Sequence, residues 1–417
     1  MKYLSKKKKE DERMTYVLAL DVSMGKSYHV LYEDERCLSE GEITHTKFGF
    51  DYLLQEIQQL PELPSIVFES TGIYSRVIET FCQNNHLLYC LLNPLEAKKQ
   101  LDSGLRVLKT DKQDAHRLAQ THCQYERKIK KLQPDIYEES HDLARFYQEI
   151  EAEIKRLRMY LHTALQLSFP ELERLFSNRL SKLSLNLIEL FPHPECLAGF
   201  SQTQIKNILK KSTDKRLSDK KALEKAQQLL SLASTSYPAT TKTSIQVQKV
   251  RYYARQLKEL LHSKETVSKQ LIEQTRPLPE FDLYRSVPGI GEVSAALIIG
   301  EIGDIRRFEN HKKVNAFVGI DTRRYQSGKY LAQDHINKRG NPKARKLLYF
   351  TVKNMIRQQA AAPNHIVDYY YKLKTQPLSK KDKVATVACM NKLLKCLYSM
   401  IKNETRYDYA HTVSMDQ

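Results

Sequence analysis

Three short segments near the start of the chain, at residues 14–21, 26–32 and 37–44, have the apolar and polar pattern of strands and are rich in β-forming residues. Short runs of this kind, bounded by turn residues, are typical of β-strands. Gly25 and the charged stretch 33–36 separate the three segments in the manner of turns. Because the strands follow one another so closely, we expect an antiparallel meander.

Helix and strand patterns then alternate. The predicted elements are a helix at 48–60, a strand at 65–68, a helix from residue 73, a strand at 86–92 and a helix near 94–101. Three strands followed by this alternation predict an α/β domain over residues 1–130.

The middle of the chain, residues 131–276, has helical periodicity instead. Residues 142–167 and 247–271 repeat Leu, Ile and Tyr at steps of three and four, and prolines interrupt the stretch 170–245 between them. Two interpretations fit: two long antiparallel helices with an inserted small helical module, or an all-helical linker domain. In both, this coiled-coil-like region is the expected site of self-association into a homo-oligomer, a dimer or tetramer, although an intrachain helical hairpin explains the same pattern.

Pro277 and Pro279 mark a second boundary, so residues 277–417 are predicted to form a third domain. It begins with two short helices punctuated by glycine over 287–303, followed by a basic loop region and further helices from about Pro342. The expected fold class is therefore α/β plus all-α.

Composition excludes several classes of protein. Of 417 residues, 41% are hydrophobic and 28% charged, which argues against a wholly disordered chain. We find no apolar run near the roughly 20 residues that a membrane helix needs, and the first residues are charged where a secretory signal is apolar. A cytoplasmic protein without a membrane anchor is expected. Seven scattered cysteines without a Cys-x-x-Cys pair argue against a disulfide framework or a zinc ribbon.

The net charge of +18 is concentrated toward the end of the chain. Residues 281–417 carry 24 basic and 12 acidic side chains, and the segment 306–346 alone carries 12 against 3. A field this concentrated attracts a polyanion, and without a membrane sequence nucleic acid is the expected one.

Two carboxylates follow apolar strands. Asp21 comes directly after the run YVLAL and Glu69 directly after IVF, so both are predicted at strand ends, where side chains converge on one edge of a sheet. Burying a carboxylate at the edge of a core is costly unless a cation or hydrogen-bond donors compensate it. These two residues are therefore candidate metal ligands.

Two more carboxylates open a helix. In LKTDKQDAHRLA, Thr110 and Gln113 form a predicted capping box that places Asp111 and Asp114 on one face of the first helical turn. Acidic residues there also favour the helix dipole without any further role. Together with the strand-end acids they make a set of four oxygen ligands that suits two Mg²⁺ ions and phosphoryl transfer.

The order of a strand-end Asp, a strand-end Glu and an Asp-x-x-Asp helix start is that of ribonuclease-H-like, RuvC-type nucleases. The strings ALDVS, FESTGIY and LKTDKQDAHRLA resemble the three acidic motifs of a narrower group, the DEDD transposases of insertion-sequence family 110 and the Piv-type invertases. The resemblance implies a RuvC-like first domain in which Asp21, Glu69, Asp111 and Asp114 are the catalytic, metal-binding residues.

The segment VPGIGEVSAALIIGEIGDIRRF places Pro-Gly-x-Gly between two predicted helices. It is similar to a helix-hairpin-helix, which binds DNA phosphates without reading sequence, although an ordinary tight turn has the same pattern. The candidate nucleic-acid contacts are Gly289, Gly291, Arg306, Arg307, Lys312, Lys313, Arg323, Arg324, Lys329, Lys338, Arg339, Lys343 and Arg345.

The resemblance continues through Ser327-Gly328 and through the segment 338–345, which has one extra residue before its arginine. It implies that Ser327 is a nucleophile that becomes linked to DNA, and that a structured bridge RNA guides the protein to donor and target DNA. Thr322 stands near the position where the family usually has proline. Because Asp114 and Ser327 are far apart in sequence, the reaction would need a composite site.

The expected function is therefore a metal-dependent DNA transposase or recombinase. One alternative is a nuclease that resolves branched DNA with water as the nucleophile. Another is a non-catalytic nucleic-acid-binding protein, which the complete set of four acids disfavours.

Overall fold

A computed structural model of the protein describes residues 15–94, 97, 110–124, 127–130, 133–324, 326–327, 330–331 and 334–410. The chain divides into two compact units, Met1–Leu132 and Gln133–Gln417.

A five-stranded mixed sheet forms the centre of the first unit. Its strands are β1 (Tyr16–Ser23), β2 (Lys26–Glu33), β3 (Arg36–Thr44), β4 (Ser65–Glu69) and β5 (Tyr89–Leu92). They lie in the order β3-β2-β1-β4-β5. The first three strands pair antiparallel, which confirms the meander, whereas β4 pairs parallel with both β1 and β5.

Helices cover both faces of this sheet. They are α1 (Lys47–Gln58), α2 (Ser75–Asn84) and α3 (Asp111–Gln124). Leu20 and Phe68 face one core together with Leu53 of α1 and Ile78 of α2. The alternate strand residues face a second core on the other side, with Val17, Ala19 and Val67 packed among Ala115, Leu118 and Ala119 of α3. The helix predicted near 94–101 lies largely outside the described residues.

The second unit contains two long antiparallel helices, α4 (Asp135–Ser168) and α8 (Ile245–Thr275). Contacts between them run in opposite directions along the chain: Lys264 Nζ lies 2.7 Å from a carboxylate oxygen of Glu151, and the rings of Tyr160 and Tyr253 are 5.7 Å apart. Of the two interpretations of the middle region, the structure has the antiparallel pair.

The inserted module between them contains α5 (Lys182–Leu190), α6 (Gln202–Lys211) and α7 (Asp219–Thr235), with short 3-10 helices at Pro170–Leu175 and Pro194–Leu197. After α8 come α9 (Pro279–Arg285), α10 (Glu292–Ile302), a 3-10 turn at Ile305–Arg307, α11 (His311–Val318), α12 (Pro342–Arg357), α13 (His365–Lys374) and α14 (Asp382–Asn403).

The boundary predicted at residue 277 does not separate two compact units. Helix α10 lies so close to α4 that a Cβ on Gly300 would be 2.6 Å from the Ser140 carbonyl oxygen. Leu271 and Phe281, on either side of the boundary, are buried in one hydrophobic core. Prolines start a new helix here, but the apolar faces on both sides are buried together.

Four short strands replace the basic loop that the sequence predicts between α11 and α12. The outer pair is β6 (Thr322–Arg323) with β9 (His335–Ile336), and the inner pair is β7 (Gln326–Ser327) with β8 (Tyr330–Leu331), both antiparallel. We call this hairpin, between Gly319 and Asn341, the β-arm.

Helix α14 is long and apolar enough to cross a membrane, and among the described residues it is alone in this. About half of its most apolar stretch is buried inside the protein. Cys389, Leu393 and Leu397 lie in the hydrophobic core of the second unit, and the core helix of a globular protein passes the same test of length and composition.

Candidate active site

The register of two parallel strands brings Asp21 and Glu69 together. Leu20 of β1 pairs with Phe68 of β4, so the next residue on each strand occupies an adjacent position. Because side chains alternate along a strand, both carboxylates project to the face of Ala19, the face that α3 covers. Glu69 ends its strand as predicted, whereas β1 continues two residues beyond Asp21 to Ser23.

The first turn of α3 is held by a side-chain cap. Thr110 Oγ1 accepts a hydrogen bond from the backbone N–H of Gln113 at 3.2 Å, and its carbonyl accepts one from Asp114 N–H at 2.9 Å. The predicted capping box is half formed, since in the described part of the chain the buried Gln113 Oε1 has no hydrogen-bond partner. The cap places Asp111 and Asp114 in the first turn, as predicted.

Helix α3 runs back along the sheet from the carboxyl end of β1. Its start lies near Lys26. The pKa of Lys26 is raised mainly by a hydrogen bond to Glu42, and the nearby charge of Asp111 raises it as well. One turn later, Tyr32 Oη of β2 lies 2.8 Å from His116 Nδ1. Since Lys26 pairs with Ser23 at the end of β1, the four acids share one face at one end of the sheet.

A carboxylate set of this kind fits a hard cation. Asp and Glu oxygens are the ligands that Mg²⁺ prefers, and each of the four residues is at least partly accessible. Among the described residues, the group whose ligand atoms all lie within 4.8 Å of one another is a different one, Cys37, Glu40 and His116. The four acids therefore share one face, but no three of their carboxylates lie within 4.8 Å of one another.

A polar network that the sequence analysis missed holds α3 against the sheet. His116 Nε2 lies 2.6 Å from Glu40 Oε2 of β3, and Lys112 donates to the other oxygen of the same carboxylate. The hydrogen bond from Lys112 lowers the pKa of Glu40. Lys112 and His116 are four residues apart and so lie on one face of the helix, where both can reach the same carboxylate.

Ser327 lies on the β-arm, in the second unit. It ends β7 and pairs with Tyr330 of β8. Nearer the root of the arm, Arg324 forms an ion pair with Asp334 at 3.2 Å, and the hydrogen bond between them raises the pKa of Arg324. The sequence predicts a basic loop region here, and the structure places the backbone of Ser327 in a two-stranded ladder.

The root of the β-arm is anchored on a buried carboxylate. Asn341 caps α12, its Oδ1 accepting from the N–H groups of Lys343 at 3.0 Å and Ala344 at 3.1 Å. Its Nδ2 donates to Glu301 Oε2 of α10 at 2.7 Å. Glu301 is 1% exposed and also binds Arg145 of α4 at 2.9 Å. This charged residue inside an apolar helix was the sequence feature that could have identified the anchor.

Two arginines predicted to bind nucleic acid have partners within the protein, and the side chain of Arg306 is still 47% exposed. Arg306 donates to Asp304, Tyr137 and the buried Glu280, each at 2.8 Å. The Arg307 guanidinium lies against the rings of Phe308 and Phe317, 4.7 and 5.0 Å from their centroids, and donates to the Ile302 carbonyl. Charge alone identified both as phosphate contacts, and that role stays a prediction; the structure adds the partners that each guanidinium has within the protein.

Arg345 and Lys343 are also partly enclosed. Arg345 donates to the Val318 carbonyl at 2.8 Å, and Lys343 lies 3.9 Å from Glu149. Among the predicted basic contacts, the structure leaves Arg306, Lys312, Lys313, Arg323, Arg324, Lys338 and Arg339 exposed. Lys329 lies outside the described residues.

The two glycines of the Pro-Gly-x-Gly turn have different roles. Gly289 has a φ of +94°, and a Cβ there would lie 2.7 Å from Met355 Cγ, so packing and backbone conformation both require glycine. Asn354 donates to its carbonyl at 3.0 Å. Gly291 is the N-cap of α10 and faces open space, which leaves the start of that helix accessible.

Comparisons with known proteins agree with the acidic motifs and with the basic region. Residues 18–170 match the DEDD transposases of the IS110 type, and residues 282–366 match the Transposase IS116/IS110/IS902 family. The transposase for insertion sequence element IS1111A of Coxiella burnetii is 33% identical over 73 residues, 18% of this chain and 20% of that protein. A probable family 20 transposase of Pseudomonas aeruginosa is 26% identical over 157 residues, 37% of this chain and 46% of that protein. The matches thus span less than half the length of these relatives.

Proposed function

Since the chain belongs to the IS110 family of DEDD transposases, we propose that it cuts and rejoins DNA at the ends of an insertion sequence. The observation that carries the proposal is the shared face of Asp21, Glu69 and the first turn of α3. Four carboxylates at one end of a sheet serve a reaction in which negative charge accumulates on a phosphate.

Transposases of this family are typically metal-dependent, and in this proposal Asp21, Glu69, Asp111 and Asp114 hold Mg²⁺, with two ions expected. When bound, the metal supplies Lewis-acid stabilisation of the phosphate oxygens. The chain contributes the fixed positions: parallel strands carry two of the ligands, and the Thr110 cap fixes the turn that carries the other two.

Ser327 is the proposed nucleophile. Its Oγ forms a bond to phosphorus while the ester bond to the leaving strand breaks, and the leaving oxygen takes up a proton in place of the one that the serine loses. The energy of the phosphodiester is kept in the serine–DNA bond, so that a second strand is joined without ATP. Arg323 and Arg324, exposed on the same arm, are suited to stabilising charge on the phosphate.

The proposed partners are donor and target DNA, a structured guide RNA and further copies of the chain. Lys312, Lys313, Lys338 and Arg339 are exposed and supply phosphate contacts. The helix-hairpin-helix role of the turn between α9 and α10 is part of the same proposal, and rests on the accessible start of α10 at Gly291.

The role of a guide RNA is tested by purifying the protein from cells that also carry its native flanking DNA. Sequencing of the RNA that co-purifies is expected to give one discrete species that maps to those flanks. Random host RNA fragments would contradict guidance by an RNA of the element. The proposed DNA cleavage and joining would then be tested without an RNA.

A branched-DNA nuclease that uses water remains the second candidate. The observation that favours it is that the four acids lie together in the first unit, while Ser327 belongs to the second. A hydrolytic enzyme would need the acids alone.

A further inference from the structure

The inserted module carries a strongly basic hairpin that the proposed function does not use. Residues 171–281 lie between the two family matches, which end at 170 and begin at 282. Within this stretch, residues 206–225 hold eight lysines and arginines against three carboxylates. We propose that the tip of the α6–α7 hairpin binds the phosphate backbone of a nucleic acid without reading its sequence.

The backbone of the hairpin is fixed by its core. Gln202 Nε2 of α6 donates to the Leu223 carbonyl of α7 at 3.3 Å, and Leu209 and Ala226 are fully buried. The connector at the tip is anchored as well, because Asn186 Nδ2 of α5 donates to the Ser212 carbonyl at 2.9 Å. The charged side chains therefore project from a surface that is already ordered.

Two of the three acidic residues of this stretch, Asp214 and Asp219, are neutralised by lysines. Asp219 forms ion pairs with Lys206 at 3.4 Å and with Lys210 at 2.5 Å, and Asp214 pairs with Lys182 at 2.6 Å. Five exposed cations have no ion-pair partner in the part of the chain that the structure describes: Lys211, Lys215, Arg216, Lys220 and Lys221. Exposed cations left without carboxylates attract a polyanion.

Three of these cations, Lys215, Arg216 and Lys221, line an open pocket of about 620 Å³ at the tip. Asp219 also lines it, but hydrogen bonds from Lys210 and the charge of Lys206 lower the pKa of that carboxyl and offset its charge. A concave basic surface of this kind fits a strand of phosphates. The identification of the polyanion as nucleic acid rests on the proposed function.

The test compares two full-length variants of equal net charge. The hairpin variant replaces the five cations Lys211, Lys215, Arg216, Lys220 and Lys221 with Gln, and the control replaces five other exposed cations, Lys242, Lys249, Arg251, Lys402 and Arg406, with Gln. The affinity of each for a DNA duplex and for an RNA duplex of the same sequence is measured as a function of salt concentration.

Each phosphate contact adds about 0.9 to the salt slope on duplex DNA. We therefore expect the hairpin variant to bind at least about tenfold more weakly, with a slope smaller by about 2 to 4, and the control to change the slope by less than about 1. The duplex that shows the difference identifies the nucleic acid bound. Equal losses in both variants, on both duplexes, would overturn the proposal.

A double variant, Lys215→Gln with Arg216→Gln, gives a smaller change of the same sign and keeps the test informative should the fivefold variant misfold. Cleavage is measured separately at saturating protein concentration, where we expect the hairpin variant to cut like the unmodified protein. Weaker binding with intact cleavage in the hairpin variant supports the proposal for the hairpin. Absence of cleavage in the unmodified protein contradicts the proposed function instead.

Discussion

Asp21 and Glu69 occupy adjacent positions on two parallel strands, one residue beyond the pair Leu20 and Phe68. Leu20, Val22 and Phe68 face the core on one side of the sheet, so the alternation of side chains places both carboxylates on the other face, which α3 covers. A shift of either strand by one residue would turn its carboxylate to the opposite face. The position of two candidate metal ligands is thus determined by the same packing that stabilises the sheet.

Replacement of Asp21 by Asn is expected to lower metal-dependent DNA cleavage by about a thousandfold, since a neutral amide is a weaker ligand and several kcal/mol of charge stabilisation are lost. Glu69→Gln should act in the same way. The measurement is the single-turnover cleavage rate. The matched control is Glu35→Gln, which removes an exposed carboxylate from the same unit. Cleavage by Asp21→Asn at the rate of this control would contradict the metal site.

The cap of α3 gives a second prediction. Thr110→Ala removes the acceptor for the Gln113 N–H, and we expect the free energy of unfolding of the first unit to fall by about 1 kcal/mol. Cleavage should fall as well, because Asp111 and Asp114 lie in the turn that the cap holds. Thr110→Ser keeps the hydroxyl and should restore both. If the alanine variant loses the expected stability but cleaves DNA at the unmodified rate, the cap does not position the candidate site.

The anchor of the β-arm is tested through Asn341. Its replacement by Ala removes the cap of α12 and also leaves Glu301, which is buried, with one donor fewer. We expect a loss of about 2–4 kcal/mol in urea unfolding. Asn310→Ala provides the control, since Asn310 caps α11 in the same way, is exposed and should cost about 1 kcal/mol. Equal losses in the two variants would show that the bond to Glu301 adds nothing.

Stability of the first unit should fall in mild acid because of His122. Burial, with the charge of Arg127, lowers the pKa of His122 from 6.5 to about 4. Between these values the unfolded chain takes up a proton that the folded chain does not, so stability is full above pH 6.5 and is lost as the pH falls toward 4. We expect a loss of about 1–2 kcal/mol between about pH 7 and pH 5. His122→Gln should flatten this dependence, and an unchanged slope would contradict the assignment.

The first unit was predicted well because its information is local. Short runs rich in apolar, β-forming residues identify β1 and β2, and Thr110 before an acidic turn identifies the start of α3. The positions of the acidic residues of the candidate site follow from these elements, since Asp21 and Glu69 lie toward the ends of strands and Asp111 and Asp114 at the start of a helix.

The second unit was predicted less well because its contacts join distant parts of the chain. Arg306 and Arg307 look like surface cations in a basic segment, and only the fold shows Glu280 and two phenylalanine rings beside them. The β-arm lacks apolar alternation, so pairing across it could not be predicted from the pattern. Likewise, nothing local to Pro277 indicates that the helices before and after it share a core.

The central claim is that Ser327 attacks DNA. The most direct measurement is denaturing electrophoresis of the protein after incubation with labelled DNA that carries the element's ends, in Mg²⁺ and in EDTA. The account predicts a covalent protein–DNA species that needs the cation and is absent in Ser327→Ala, which still binds the DNA but does not cut it. Cleavage by Ser327→Ala at the unmodified rate, without a covalent species in either protein, would contradict the account and favour a nuclease that uses water.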